Sequence, residues 1–433
     1  KEDIRQHYDI NTMNCVRSNF DKFESTPLFK VIQSMPKGNL QHCHLPATIS
    51  LTGILKSFTV NENILYSHSK KKFYLKGYEE YPEDSFEVLE FKNQNYQKAF
   101  DLFRDIFILK DNELSVGSLN CVFKNFDRRF LAMGNVFNYI KVQEVFFEEV
   151  YEFLKRDNVD SVEIRNVSGF MIGHDFKRLT IVEELDFLKM IQDKYKNYND
   201  PLEILFIQTG IKSEITKEED IINYFEIYRA SMERKIKNNE DHIIAAFDMV
   251  NFEDKTSLRN ITGTLAELKN KYENCNFVLH AGAINTKSFD NQVISILLNS
   301  RRIGHGLTLY RSIYLMELVK QRNICVETNP LSNYLLTNHR DPFHHPLRCY
   351  LNNGIKCTVN SDDCLLWDCL PSSHDFFVAT FFNDLSLREI KSIVYNGFKY
   401  SLFGKVKKEQ LRKAFKVKWF QWVKIILIIN SRF

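Results

Sequence analysis

The sequence predicts an α/β fold: a closed (β/α)₈ barrel, or TIM barrel, with an added helical region and an N-terminal arm. Three observations carry that expectation. After residue 158, short apolar runs alternate with longer charged stretches of helical pattern. Each run closes in polar residues or glycine. With one stretch near the N-terminus included, the runs number eight, the count a closed barrel needs.

Taken in order, residues 1–30 read as a polar arm and 31–433 as the barrel. The first strand is NLQHCH (39–44). Residues 45–158 break the alternation and read as an insertion and helical region. Within it, ILYSHSKKKFYLKGYEEYPED is irregular, whereas KNQNYQKAFDLFRDIF and NVFNYIKVQEVFFEEVYEFLKRDN repeat apolar residues at three and four spacing, as amphipathic helices do. Seven runs follow: VDSVEIRN (159–166), LEILFIQTG (202–210), HIIAAFDMVN (242–251), NFVLHAG (276–282), RRIGHG (301–306), ICVETNP (324–330) and IKCTVNSDD (355–363). Continuously apolar runs suit strands covered on both faces, and the lengths between them suit crossover helices. Residues 383–424 read as terminal helices ending in the Trp419 and Trp422 pair. An open doubly wound sheet is the alternative. It is disfavoured because no glycine-rich phosphate loop follows the first strand, and because polar residues gather at many strand ends rather than at one switch point.

At 433 residues the chain is long enough for one large barrel or two ordinary domains, and 44% hydrophobic residues support a sizeable core. A net charge of +3, with basic residues scattered, gives no argument for a nucleic-acid or membrane-surface partner. No window approaches the roughly 18 apolar residues of a membrane span, and VKIILII near the C-terminus is too short. The chain begins KEDIRQ, without Met or an apolar leader, and reads as a processed chain or a fragment. Nine cysteines form neither a metal ribbon nor a disulfide framework, so Cys364 and Cys369 read as small buried apolar groups. The sequons at Asn166 and Asn260 add little for secretion.

His42 and His44, two apart at a strand end, point to one face of the barrel mouth. His280 closes the fifth strand, His305 lies between glycines on the sixth, and Asp362 and Asp363 close the eighth. Imidazoles and a carboxylate are the ligands zinc takes, and a catalytic zinc keeps one position open for water.

With these residues in view, the chain resembles the adenosine deaminase family, in particular its secreted growth-factor branch. The matching segments are MPKGNLQHCH (35–44), AFDMVNFED (246–254), LHAG (279–282), RIGHG (302–306), ETNPLSN (327–333) and VNSDD (359–363), together with FKNFDRRF and KYSLFGK. The resemblance implies one zinc ion on His42, His44, His280 and Asp362. It implies that His305 positions and deprotonates the water, that Asp363 holds a purine ring nitrogen, and that Asn251 and Gly282 stand at substrate-binding positions. Adenosine or a related nucleoside is the implied substrate, and an extracellular location, a cell-surface protein partner and a homodimer are further implications.

One departure matters most. The family places a glutamate three residues after the fifth-strand histidine, to protonate the ring nitrogen beside the attacked carbon; here that residue is Ala283. A methyl group cannot move a proton, and general acid catalysis typically contributes about 10²–10⁴-fold. Other departures agree: Leu45-Pro46-Ala47 replaces a ribose-binding aspartate, Gly210 and Ile211 replace polar residues, and Asn251 replaces a glycine. The 45–100 stretch has no cysteine for the branch's bridged receptor-binding insertion, and residues 1–24 are all that could supply its dimerisation arm. Three readings follow: a noncatalytic branch member, a working aminohydrolase in which Glu253 or a water replaces the lost acid, or a zinc amidohydrolase with another substrate. The fourth strand has no lysine to bridge two metals, which favours a mononuclear site.

Overall fold

The computed structural model describes residues 19–114, 118–238, 241–251, 253, 257–272, 275–284, 288–337 and 342–430. The strands in chain order are β1 (Gly38–His44), β2 (Ile64–Ser67), β3 (Lys72–Leu75), β4 (Ser85–Glu87), β5 (Val159–Asn166), β6 (Glu203–Ile211), β7 (Ile244–Val250), β8 (His280–Ala281), β9 (Arg302–His305), β10 (Cys325–Thr328) and β11 (Lys356–Val359). β1, β5, β6 and β7 form one four-stranded parallel sheet, and β8 to β11 form another. Single parallel bridges join the two sheets: Cys43 pairs with Asp362, and Phe247 with Phe277. At these seams Asp362 N donates to His42 O at 3.1 Å and Val278 N to Phe247 O at 3.1 Å. The eight strands therefore close into the expected barrel, and their carboxyl ends share one rim.

β8 is shorter than its apolar run because the run divides its pairing. Phe277 bonds back to β7, while His280 and Ala281 bond forward to β9. Helices cover the outside. Ile181–Lys196 and Leu387–Lys399 each start with a capping box, Thr180 with Glu183 and Ser386 with Glu389, which satisfies backbone donors that a first turn leaves unpaired.

The added region differs from expectation in two places. The irregular stretch forms an antiparallel sheet in the order β3-β2-β4, with strands too short for alternation to be recognised. Its buried Phe73 packs against Phe58, Phe103 and Phe107, with ring centroids 4.9, 5.3 and 5.9 Å away. The helix expected over 92–107 is two helices, Val88–Gln94 and Tyr96–Phe107. Asn95 separates them and caps the second, accepting from Lys98 N at 2.9 Å.

Of the arm expected over 1–30, residues 1–18 lie outside the described residues. Beyond them the chain joins the core: Phe23 meets Phe377 and Phe20 meets His374, each at 4.7 Å between ring centroids. All described cysteines are free, and Cys364 and Cys369 are buried. Asn166, in the first sequon, is buried at the end of β5 and donates to Ser168 Oγ, so it is inaccessible to a glycan. Among the described residues no helix is long and apolar enough to cross a membrane.

Candidate active site

The strand ends bring the expected residues together. One ligand atom each from His42, His280, His305 and Asp362 lies within 4.8 Å of the others, and His44, Asp362 and Asp363 form a second such group. His42 Nε2 and His44 Nε2 approach Asp362 Oδ1 at 3.2 and 3.1 Å, and His305 Nε2 lies 3.7 Å from Asp362 Oδ2. Proximity favours His305 over His44 as the partner of His42, His280 and Asp362, but the hydrogen bonds of His305 argue against it as a ligand.

Beneath the cluster runs a layer of buried charge. His42 Nδ1 meets Glu327 Oε2 at 2.7 Å, and His280 Nδ1 meets Asp248 Oδ2 at 2.6 Å. A carboxylate beside Nδ1 keeps the proton there, which leaves the Nε2 lone pair for a cation. His305 is held differently. Asn329 and Asn333 both donate Nδ2–H to its Nδ1 at 3.1 Å, which puts the proton of the neutral ring on Nε2. An N–H donates and does not ligate, so His305 stands apart from His42 and His280 in this arrangement. Arg165 ties the layer together, bonding Asp248 and Glu327 at 2.7 Å each. Arg302 pairs with Glu163 at 2.8 Å and also donates to Glu327.

Asp248, Glu327, Asn329, Ser332 and Asn333 lie within the segments that carry the family resemblance, but the sequence alone assigns them no role. Ser332 donates to Asp362 Oδ2 at 2.6 Å. A signal did exist in VDSVEIRN. Glu163 and Arg165 alternate with Val162 and Ile164, which places two charges together on one face of the strand.

The electrostatics suit a dication. Burial holds His280 down at about 3 and His305 well below its ordinary range, so both are neutral at pH 7. Burial opposes charge on Asp362, but His305, His42 and His44 outweigh it and hold that carboxyl far below the usual range. Burial and then the Asp362 charge push Asp363 well up. With the histidines counted as neutral, four buried carboxylates, Glu163, Asp248, Glu327 and Asp362, face two guanidiniums, leaving two negative charges uncompensated. His42 Nε2 and Asp362 Oδ1 are also buried without a hydrogen-bond partner, a costly state that a metal would relieve. His305 (φ 63°) and Asp362 (φ 59°) are non-glycine residues in the left-handed region, and backbone strain of this kind concentrates at functional sites.

The rim is less well equipped. At Ala283 no side chain can donate, but a carboxylate lies beside its backbone. Glu253 accepts from Gly282 N and Ala283 N, both at 2.8 Å, and from Asn291 Nδ2 at 3.1 Å, with Lys212 Nζ 3.5 Å away. The Gly282 N–H is therefore engaged by Glu253. Asn251 (φ 95°) directs its amide to Ser213 Oγ at 3.0 Å rather than across the mouth. Leu45 and Ala47 are fully buried, and a Cβ on Gly210 would lie 2.7 Å from Met249 Sδ, so neither location offers a polar contact. A cavity of about 490 Å³ lies in the added region, lined by Tyr66, Arg128 and Arg129 among others; it contains none of the site residues. Chemistry, not volume, marks the barrel mouth as the candidate site.

The family model for adenosine deaminase matches residues 122–417. This chain belongs to the adenosine deaminase family. It is 25% identical to adenosine deaminase 2 of Dictyostelium discoideum, over 93% of this chain and 76% of that one. Among solved structures, it resembles an amidohydrolase of Burkholderia ambifaria with bound zinc (TM-score 0.65, 14% identity, 92% of this chain and 94% of that one). An Arabidopsis ADAL complexed with IMP is similar too (TM-score 0.64, 15% identity, 90% of this chain and 98% of that one). At these identities the structural likeness speaks for the fold. The family and the buried cluster together point to a metal.

Proposed function

We propose that this chain is a divergent member of the growth-factor branch: an extracellular zinc-containing barrel that binds a purine nucleoside weakly, deaminates adenosine poorly or not at all, and acts as a binding or signalling protein. The observation that carries the reading is the chemistry around Ala283. Among the described residues the carboxylate beside it is Glu253, which is committed to two backbone amides, an asparagine amide and a lysine. Both of its oxygens are taken up by these donors, so neither stands free to serve a ligand's ring nitrogen.

In this reading one zinc sits on His42, His44, His280 and Asp362, where orphaned donor atoms and two surplus negative charges fit it. Bound zinc lowers the pKa of a water to about 7 and so supplies a nucleophile at neutral pH. Asp363, kept protonated by burial and by Asp362, offers a hydrogen bond to a ring nitrogen of the ligand. His305 carries its proton on Nε2 beside Asp362. The extracellular location, a cell-surface partner and a homodimer belong to the reading through the branch resemblance, and the IMP complex of the Arabidopsis relative supports a purine-type ligand.

The second reading is an active, zinc-dependent adenosine deaminase making inosine and ammonia. In its favour, Glu253 lies 2.8 Å from Ala283 N, next to the vacated position. Metal content and adenosine turnover of the purified chain, measured beside Ala283→Glu, decide between the two. The proposal expects about one zinc per chain, turnover about 10²–10⁴-fold below that of a family member carrying the glutamate, and partial recovery in Ala283→Glu. Brisk turnover in the parent chain, reduced in Glu253→Gln, would establish the second reading instead.

A further inference from the structure

The C-terminal helix, Lys405–Asn430, docks by one face and leaves another bare. Phe415, Trp419 and Trp422 form the docked face. Phe415 meets Phe398 with ring centroids 5.4 Å apart, and Trp422 Nε1 donates to Ser34 Oγ at 3.0 Å. Residues 413, 417, 420, 424 and 427 are spaced by four and three, so they share the opposite face. Val417, Phe420 and Leu427 there are 58%, 60% and 63% exposed, in an order that interleaves them with exposed Lys413 and Lys424. Exposed Lys416 flanks them, and Lys424 Nζ lies 4.5 Å over the Phe420 ring.

The charge is as uneven as the polarity. Eight residues of this helix are Lys or Arg and one, Glu409, is acidic; its net +7 within a chain of total +3 leaves the rest of the protein at −4. The chain-wide charge concealed this concentration. Lys418 and Lys407 are engaged, by Asp160 and Glu203 at 2.6 Å each, but both lie off the bare face.

We propose that this face docks on an anionic lipid surface, with Val417, Phe420 and Leu427 entering the headgroup boundary and Lys413, Lys416 and Lys424 meeting acidic headgroups. Large exposed apolar side chains interleaved with cations on one helix face are the composition of an interfacial amphipathic helix. The helix lies on the surface and does not span it, in keeping with the lysines distributed along it. A second copy is a poor occupant, since two +7 helices would face each other. An acidic protein or a polyanion would satisfy the lysines and leave the apolar side chains in water.

The test is co-sedimentation of the full chain with vesicles of phosphatidylcholine alone and with about 30% phosphatidylserine, near 0.1 M salt. Binding is expected to anionic vesicles, weakening as salt rises. Lys413→Ala and Lys416→Ala should each weaken it about fivefold. Phe420→Ser with Leu427→Ser should weaken it on the order of tenfold while leaving retention on heparin unchanged. These side chains are exposed, so unaltered melting of the variants is expected, and the lysine variants carry the test should the apolar pair fold poorly. No preference for anionic vesicles overturns the proposal. So does vesicle binding that survives the apolar substitutions, which would mark the face as a polyanion or acidic-protein contact.

Discussion

Replacing Glu327 with Gln tests the buried charge layer directly. Glu327 Oε2 accepts from His42 Nδ1 and from Arg165 Nη2, each at 2.7 Å, and Oε1 accepts from Arg302 Nε. Glutamine keeps the shape and loses the charge. Its amide nitrogen must also face one of three donors, so at least one guanidinium or imidazole N–H is left buried against another donor. Removing one partner of a buried pair costs about 3–5 kcal/mol. For 433 residues the unfolding entropy is about 0.9 kcal/mol/K, so the melting temperature should fall by about 3–6 °C. His42 also loses the carboxylate that keeps its proton on Nδ1, and loss of such an outer partner weakens a metal site by about 10–100-fold. Differential scanning calorimetry and chelator-competition zinc titration measure the two effects. A Glu327→Gln chain that melts with the parent and binds zinc equally would refute both the charge accounting and the proposed tautomer of His42.

Three further outcomes follow from the same geometry. Free zinc at about 100 times its dissociation constant stabilises a native site by about 2.7 kcal/mol, so it should raise the melting temperature of the metal-free chain by about 3 °C; no shift means no resident site. Burial pushes Asp127 up to about 6 from 3.8, so its contribution to stability is present below about pH 3.8 and lost as pH rises through 6. Asp127→Asn should therefore gain about 1–2 kcal/mol at pH 7, allowing for screening at this partly exposed residue, and should lose most of that advantage at pH 4. Gly282→Ala puts a Cβ 2.3 Å from Gln292 Nε2 at φ 82°, and urea unfolding should report a loss of about 2–4 kcal/mol.

The barrel was legible because its strands are buried on both faces and end in chemistry. VDSVEIRN matches β5 at both ends, and the polar strand ends do share a rim. β2, β3 and β4 were not legible, because three or four residues are too few to establish a period and their stability comes from the phenylalanines of other helices. The gathering of histidines and aspartates at the barrel mouth could be read from six side chains at strand ends. The network that orients it could not, because a buried Glu or Arg looks like any other charge until its partner is known, and Arg165 lies 83 and 162 positions from its two carboxylates. The helix break at Asn95 hid for the opposite reason. The apolar period runs on through it, and a single capping side chain decides the matter.

These contacts also bear on how much the metal cluster can say about catalysis. His42 and His280 are anchored through Glu327 and Asp248 to Arg165, and Glu327 to Arg302, so replacing one of them disturbs the charge pairing of the barrel interior. Folding stability alone is then a sufficient reason for such residues to be present, whether or not the chain turns over a substrate. Ala283 is under no such constraint. Its contact to Glu253 is made by the backbone N–H, which any residue but proline supplies. Leu45 and Gly210 have gone further, into apolar packing that would resist a polar replacement. The intact cluster therefore argues for a metal, and the rim argues about the reaction. A glutamate at Ala283 would stand beside the Glu253 carboxylate, so any activity it brings is read together with the melting temperature of the variant, which separates a returned proton donor from a rearranged rim.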